Sequence, residues 1–277
     1  MKKPISALIL MLFLPALAFA QLQWAEPWEK ALDEANKAKK PVFFDFYTDW
    51  CPHCQELFKT TLQDPKMIEY FNKEGYVTIK VNPEKDKKAE TTFKVYAYPT
   101  LVIFRNGVEV DRILGGKPTA EMIAALEDIK KDKGTLNDFL RQYKKDPKNA
   151  KLTFDILDKY IAKGEFSSAA LYADKILTLD KKNEKGFASQ ALMQKGYIYY
   201  KAKDLNKAVE ALTSIAAKYP QAKEAEDGYL AAASYSKRLK DTPKAVSILK
   251  SFLTKFPNSD KKLKVEAELK RLQEPPK

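Results

Sequence analysis

The C-terminal half of the chain repeats, and a repeat of this length constrains the fold more than any single element does. Ala169, Ala208 and Ala245 close the segments KGEFSSA, AKDLNKA and LKDTPKA, at spacings of 39 and 37 residues. AKYPQAKEAE and TKFPNSDKKL recur at the 37-residue interval, with Pro220 and Pro257 in register. This region has no strand signal. A helix-only unit near this length cannot bury its apolar face alone, so copies stack pair on pair into a solenoid. An irregular helical bundle is the competing architecture, since three repeats are few.

The first half has a different period. Trp28, Ala31, Leu32 and Ala35 fall at helical spacing, and that helix ends near the lysines before Pro41. Val42 to Tyr47 is a short apolar, aromatic run bounded by Pro41 and a cysteine motif, and it reads as a buried strand. A helix carrying Leu57, Phe58 and Leu62 follows, and Pro65 opens a further helical turn. Tyr76 to Val81 reads as a strand. Thr100 to Phe104 and Val108 to Ile113 flank Asn106-Gly107, a hairpin signal. Gly115-Gly116 breaks the chain before a last helix with Met122, Ile123, Leu126 and Ile129. The order is helix, strand, helix, strand, hairpin, helix, which predicts an α/β sandwich with a mixed sheet.

The N-terminus bears on compartment. Lys2 and Lys3 precede an apolar run from Ile5 to Phe19, which ends in the small-x-small pattern Ala18-Phe19-Ala20. The run is short for a membrane span, and Pro15 with the Ala20 boundary favours cleavage over a retained anchor. The start resembles bacterial signal peptides, so a periplasmic or secreted protein beginning near Gln21 is expected. The formal charge is +12, but the only arginines are Arg105, Arg112, Arg141, Arg238 and Arg271. Nucleic-acid sites favour arginine for its bidentate fork, and these lysines are interleaved with acids as on solvated helices. No nucleic-acid partner is expected.

Both cysteines and the only histidine lie in WCPHC, residues 50 to 54. A zinc site needs four ligands, and His53 sits between the cysteines on a tight turn, where it points away from a shared ion. Haem attachment needs the histidine directly after the second cysteine, where Gln55 stands. A permanent staple across two residues closes too small a loop to stabilise much. A redox centre fits better. Cys51 would sit exposed at the first turn of a helix, where free N–H groups and the helix dipole favour a thiolate. Pro52 suits that turn, and Cys54, one turn in, is placed to resolve a mixed disulfide on Cys51.

These residues resemble the thioredoxin superfamily over roughly residues 24 to 130. FFDFYTDWCPHC follows its strand-to-active-site pattern, YPT at Tyr98 to Thr100 matches its cis-proline loop, and FRNGVEVDRILGG matches its closing hairpin. The leader is most similar to the branch of bacterial thioredoxin-related proteins that includes the C-terminal domain of DsbD. The resemblance implies Cys51 and Cys54 as the exchanging pair, Asp45 as a buried acid that accepts the Cys54 proton, and Trp50, Tyr98, Pro99 and Thr100 at the substrate. Pro52 and His53 between the cysteines depart from thioredoxin's Gly-Pro and resemble the oxidant DsbA, which implies redox tuning. Lys80 is placed near Asp45 in some relatives. In the second half, Gly196, Tyr199, Ala208, Leu212 and Pro220 resemble the conserved-type positions of tetratricopeptide repeats, as do Ala233, Ala245, Leu249 and Pro257. The first copy keeps Tyr160 and Ala169 and lacks the proline, and Ser236 replaces an aromatic in the third.

The expected organisation is a signal peptide at 1–20, a thioredoxin-like α/β domain at 21–130, a helical linker at 131–150 and a tetratricopeptide-like all-α solenoid at 151–277. The expected function is exported thiol–disulfide exchange on protein substrates, net reduction or interchange. The Cys51–Cys54 disulfide serves in place of a cofactor, and no metal is expected. Expected partners are protein thiols and disulfides, a membrane electron-transfer protein, and a protein ligand of the repeats. The competing functions are DsbA-like net oxidation and a non-enzymatic assembly adaptor.

Overall fold

A computed structural model describes residues 21–274, so the expected signal peptide lies outside the described residues. Strands β1 (Val42–Phe46), β2 (Val77–Val81), β3 (Thr100–Arg105) and β4 (Val108–Leu114) form one sheet in the order β2-β1-β3-β4. β1 runs parallel to β2 and antiparallel to β3, so the sheet is mixed. All five residues of β1 are buried, as befits a central strand covered on both faces. Asn106 and Gly107 both take positive φ, 51° and 77°, which gives the β3–β4 turn a twist that matches its strands.

Side-chain alternation along β1 splits the core in two. Phe43 packs with Leu57, Leu62, Phe71, Met122 and Leu126 on one face of the sheet. Phe44 and Phe46 pack with Ala31, Ala35, Ile79 and Phe93 on the other. The first layer is built by α2 (Pro52–Leu57), α3 (Pro65–Glu74) and α5 (Thr119–Lys130), and the second by α1 (Trp28–Lys37) and α4 (Lys87–Phe93). Asp64 caps α3 by accepting the Lys66 N–H at 2.9 Å, and Pro65 follows at the first helical position. The single turn expected at Pro65 is thus a ten-residue helix. Helix α4 has no counterpart in the sequence reading. It is seven residues long and only Ala89 and Phe93 are buried, too little for an apolar period to show. It holds through Asp86, which accepts the Ala89 N–H at 2.9 Å and the Trp28 indole N–H at 2.6 Å.

Eight helices follow among the described residues: α6 (Leu136–Lys145), α7 (Ala150–Ala162), α8 (Phe166–Leu179), α9 (Phe187–Lys201), α10 (Leu205–Lys218), α11 (Ala225–Arg238), α12 (Thr242–Lys255) and α13 (Lys262–Gln273). Helices α7 to α12 form three antiparallel pairs. Ala169, Ala208 and Ala245 are each fully buried where helices meet, which is why a small residue recurs there. Gly196 serves the same end: a Cβ at that position would lie 2.6 Å from the Leu212 side chain. The connection from α8 to α9 is held by buried Asp180, which accepts N–H groups from Lys185, Phe187 and Ala188. The expected linker at 131–150 contains α6, whose Leu136, Phe139, Leu140 and Tyr143 pack on the first helix pair.

The solenoid is docked on the sheet. Edge strand β4 meets α7 through charges: Asp111 accepts from Lys159, and Glu109 accepts from Arg112 at 2.8 Å and from Lys163 at 3.1 Å. Arg112 also donates to the Ala162 carbonyl at 3.3 Å. Burial raises the Asp111 carboxyl pKa even with Lys159 beside it. Burial also works against ionised Glu109, but Arg112 and Lys163 outweigh it and hold the pKa below the usual value. The pairing covers a sheet edge that would otherwise offer free backbone groups.

Candidate active site

Cys51 caps α2 in extended conformation (φ −83°, ψ 107°), and Pro52 follows as the first helical residue. The Cys51 sulfur accepts the Cys54 N–H at 3.1 Å. The first turn of the helix therefore directs the Cys54 amide at that sulfur, an arrangement that stabilises a thiolate. Cys51 and Cys54 are joined by a disulfide with Cα atoms 5.3 Å apart. Exposure does not separate them as expected: Cys51 is 4% exposed and Cys54 5%. With the bond closed, the ring of chain and sulfur shields both residues. The asymmetry between them lies in the capping position.

Asp45 lies on β1 two residues after Phe43, hence on the face covered by the helix that carries Cys54. It is buried, and its Oδ1 has no hydrogen-bond partner among the described residues. Burial pushes its pKa from 3.8 up to about 7, with Lys80 pulling the other way. Such a carboxyl exchanges protons near neutrality. Lys80 is the register partner of Asp45 on β2. Its ammonium lies 4.2 Å from the Tyr47 ring centroid, 4.1 Å from Phe58 and 5.7 Å from Trp24. Lys80 thus packs its ammonium against ring faces, which attract a cation.

The rim is aromatic and irregular. Trp50 is 66% exposed, meets Tyr98 edge-on at 6.3 Å and donates its indole N–H to Glu84 at 2.9 Å. The Tyr98–Pro99 peptide is cis, as the resemblance implies. The Pro99 carbonyl accepts the Gly115 N–H at 2.9 Å, which ties the proline loop to the end of β4. Thr100, expected at the substrate, is instead 1% exposed, and its hydroxyl donates to the Ala97 carbonyl at 2.8 Å. Thr100 braces the loop from below. A groove of about 1120 Å³ runs beside Pro99, lined by Tyr98, His53, Leu57, Gly115, Gly116 and Ile123 among others. Thr60 and Thr61 also line it, from Phe58–Leu62, where α2 widens into a π-helical turn, a distortion common at functional sites.

His53 faces water. Its side chain is 80% exposed, and Nδ1 stands 3.8 Å from a Glu56 carboxylate oxygen. Its influence on Cys51 is thus shared with a carboxylate and with water, which screens it. Among the described residues no group of three or more His, Cys, Asp or Glu is placed to hold a metal ion. The sequence reading missed Glu84, Gly115 and Gly116 as parts of the rim. Glu84 sits in an irregular loop with no local signal, whereas the Gly-Gly pair was visible as a chain break.

A thioredoxin-like domain model matches residues 28–130, and a tetratricopeptide repeat model matches residues 190–222 and 228–259. Thioredoxin of Mycoplasma genitalium is 33% identical over 94 residues, covering 34% of this chain and 87% of that protein. The thiol:disulfide interchange protein DsbD of Campylobacter jejuni is 26% identical over 102 residues, 36% of this chain and 18% of that much longer protein. A solution structure of a thioredoxin from Thermus thermophilus aligns with TM-score 0.36 and 26% identity, covering 40% of this chain and 88% of that one. The chain belongs to the thioredoxin family, as a thiol–disulfide oxidoreductase whose thioredoxin-like domain is followed by tetratricopeptide repeats.

Proposed function

We propose that the protein is exported and catalyses thiol–disulfide exchange on protein substrates in the reducing or interchange direction, with its repeats docking those substrates. The observation that carries the chemistry is a disulfide at a helix N-terminus on the sheet face that holds buried Asp45, whose Oδ1 has no hydrogen-bond partner among the described residues. In the reduced enzyme the Cys51 thiolate attacks one sulfur of a substrate disulfide and forms a mixed disulfide, and the other substrate sulfur leaves as a thiolate. Asp45, with a pKa near neutrality, takes the proton from Cys54. The Cys54 thiolate then attacks the Cys51 sulfur, closes Cys51–Cys54 and releases the second substrate thiolate. A dithiol donor must reopen the bond for the next cycle. The DsbD relative supports a membrane electron-transfer protein in that role, and the leader before Gln21 supports a periplasmic or secreted site of action. The oxidant reading rests on His53, whose exposure and Glu56 neighbour weaken it.

The roles of the two cysteines are separable. Cys54→Ala mixed with an aromatic disulfide such as dithiobis(nitrobenzoate) should retain one thionitrobenzoate on Cys51, and Cys51→Ala, whose only thiol is Cys54, should take up none. Both variants should lose insulin reduction. Stable adduct on Cys54 in the Cys51→Ala protein, with none on Cys51, would reverse the assignment.

A further inference from the structure

The proline loop touches the redox centre on one side and the solenoid on the other. Tyr98 stands against Trp50. Tyr96, two residues earlier and so within about 7 Å along the chain, stands against Phe166 at the start of α8, with ring centroids 5.0 Å apart. Gly164 makes this approach possible: a Cβ there would lie 2.2 Å from the Tyr96 ring. From Tyr96 the aromatic surface continues through Phe166 to Tyr197 on α9, at 6.3 Å. One turn on, Lys201 donates to the Tyr96 carbonyl at 3.0 Å and lies 5.3 to 5.7 Å from the Tyr96, Tyr197 and Tyr200 rings. Tyr200 stacks on Tyr235 of α11 with planes 4° apart, and Arg238 donates to the Tyr200 hydroxyl at 2.8 Å.

Charge on this strip is uncompensated. At the neighbouring interface Arg112, Lys159 and Lys163 each meet a carboxylate. Lys201 and Arg238 meet only rings, a hydroxyl and a carbonyl among the described residues. Asp158 on α7 is engaged by Gln194, one turn before Tyr197 on α9. Tyr96 is 42% exposed and Arg238 is exposed, so the strip is open to a ligand. Rings that offer stacking area, beside cations that lack counter-charges, fit an acidic segment carrying aromatic side chains.

We infer that this strip extends the substrate site: an acidic, aromatic-bearing segment flanking the reacting cystine of a substrate polypeptide crosses Tyr96 and docks on Tyr197, Lys201, Tyr200, Tyr235 and Arg238. The inference rests on the redox reading above. The solenoid then acts as a fixed wall of the redox cleft, so selection and chemistry fall on one continuous surface. Lys201 touches the Tyr96 carbonyl, three residues before Pro99, so an extended segment of about three to five residues reaches from beside Pro99 to Lys201.

The test uses the full chain with disulfide-linked peptides that share one cystine and differ in a flank of Glu-Glu-Tyr, Gln-Gln-Tyr or Lys-Lys-Tyr, the flank starting about five residues from the cysteine. The kcat/KM for the acidic peptide should exceed that for the neutral one by about tenfold at low salt, mainly through KM, and the margin should shrink as salt rises. In Lys201→Gln/Arg238→Gln the margin should fall to about twofold or less, and Lys201→Arg/Arg238→Lys should restore it, since charge is what is read. Equal rates for the three peptides in the wild-type protein, or a margin unchanged in the neutralised variant, would overturn the inference. Failure to reduce any peptide or a small aromatic disulfide would instead overturn the redox reading on which it rests.

Discussion

At the scale of single residues, Asp45 is the one whose environment makes the sharpest claim. An acid whose pKa rises from 3.8 to about 7 on folding binds more protons in the native state than in the unfolded one across that interval. Stability contributed at this site is full below about pH 4, declines as pH rises toward 7, and is flat above. Asp45→Asn keeps the shape and removes the charge, at the cost of an unpaired buried amide. The stability difference between variant and wild type should therefore move in the variant's favour by as much as on the order of 4 kcal/mol between pH 4 and pH 8. Denaturant titration at the two pH values measures it, and a difference independent of pH would mean that Asp45 does not titrate in that range. The same variant should resolve mixed disulfides on the order of a hundredfold more slowly, as expected for loss of a positioned proton acceptor. Trp50, Tyr98 and Pro99 were recognisable because they sit within a fixed distance of the cysteine motif or within YPT itself. The true setting of Thr100 and His53 was not, because only packing decides whether such residues face the ligand, the loop beneath it or water.

Among the elements, β4 and α7 carry the argument that the two halves act together. Lys159, its side chain 21% exposed, pairs with buried Asp111, and removing one partner of such a pair costs up to about 3–5 kcal/mol, because the other is left unpaired. Lys159→Met should accordingly lower stability by several kcal/mol, whereas Lys159→Met/Asp111→Leu should recover much of the loss. A double-mutant cycle in denaturant, followed by tryptophan fluorescence from Trp24, Trp28 and Trp50 together with far-ultraviolet circular dichroism, reads both halves. Additive effects would show that the pair does not couple β4 to α7. This seam was invisible in the sequence, since Asp111 and Lys159 lie 48 residues apart and alternate with other charges as solvated residues do. By contrast, the β3–β4 hairpin was legible from Asn106-Gly107, and the stacked pairs from Ala169, Ala208 and Ala245, because each of those signals is local and steric. Helix α4 was not, since it is short and is held by the Asp86 cap and by contact with Trp28 more than by any apolar stripe.

For the molecule as a whole, the thioredoxin-like domain supplies a nucleophile, a proton acceptor and a groove, while the solenoid supplies a second wall along the proline loop. That division follows from where residues stand: both cysteines precede Leu57, and Lys201 and Arg238, which meet no carboxylate among the described residues, lie at the ends of α9 and α11. Basic charge that looked merely solvated in the sequence is thus partly organised around tyrosines. The direction of exchange depends on the Cys51–Cys54 couple. The helix N-terminus favours the reduced form's thiolate, but exposed His53 beside Glu56 adds little to it, so the couple should stay near that of a thioredoxin. Equilibration of the full chain with dithiothreitol or glutathione redox buffers gives the midpoint potential directly. The account predicts a reversible two-electron transition between about −270 and −200 mV. A midpoint near about −120 mV, the range of a dedicated oxidant, would contradict net reduction, and the lack of any reversible transition would contradict the redox centre itself.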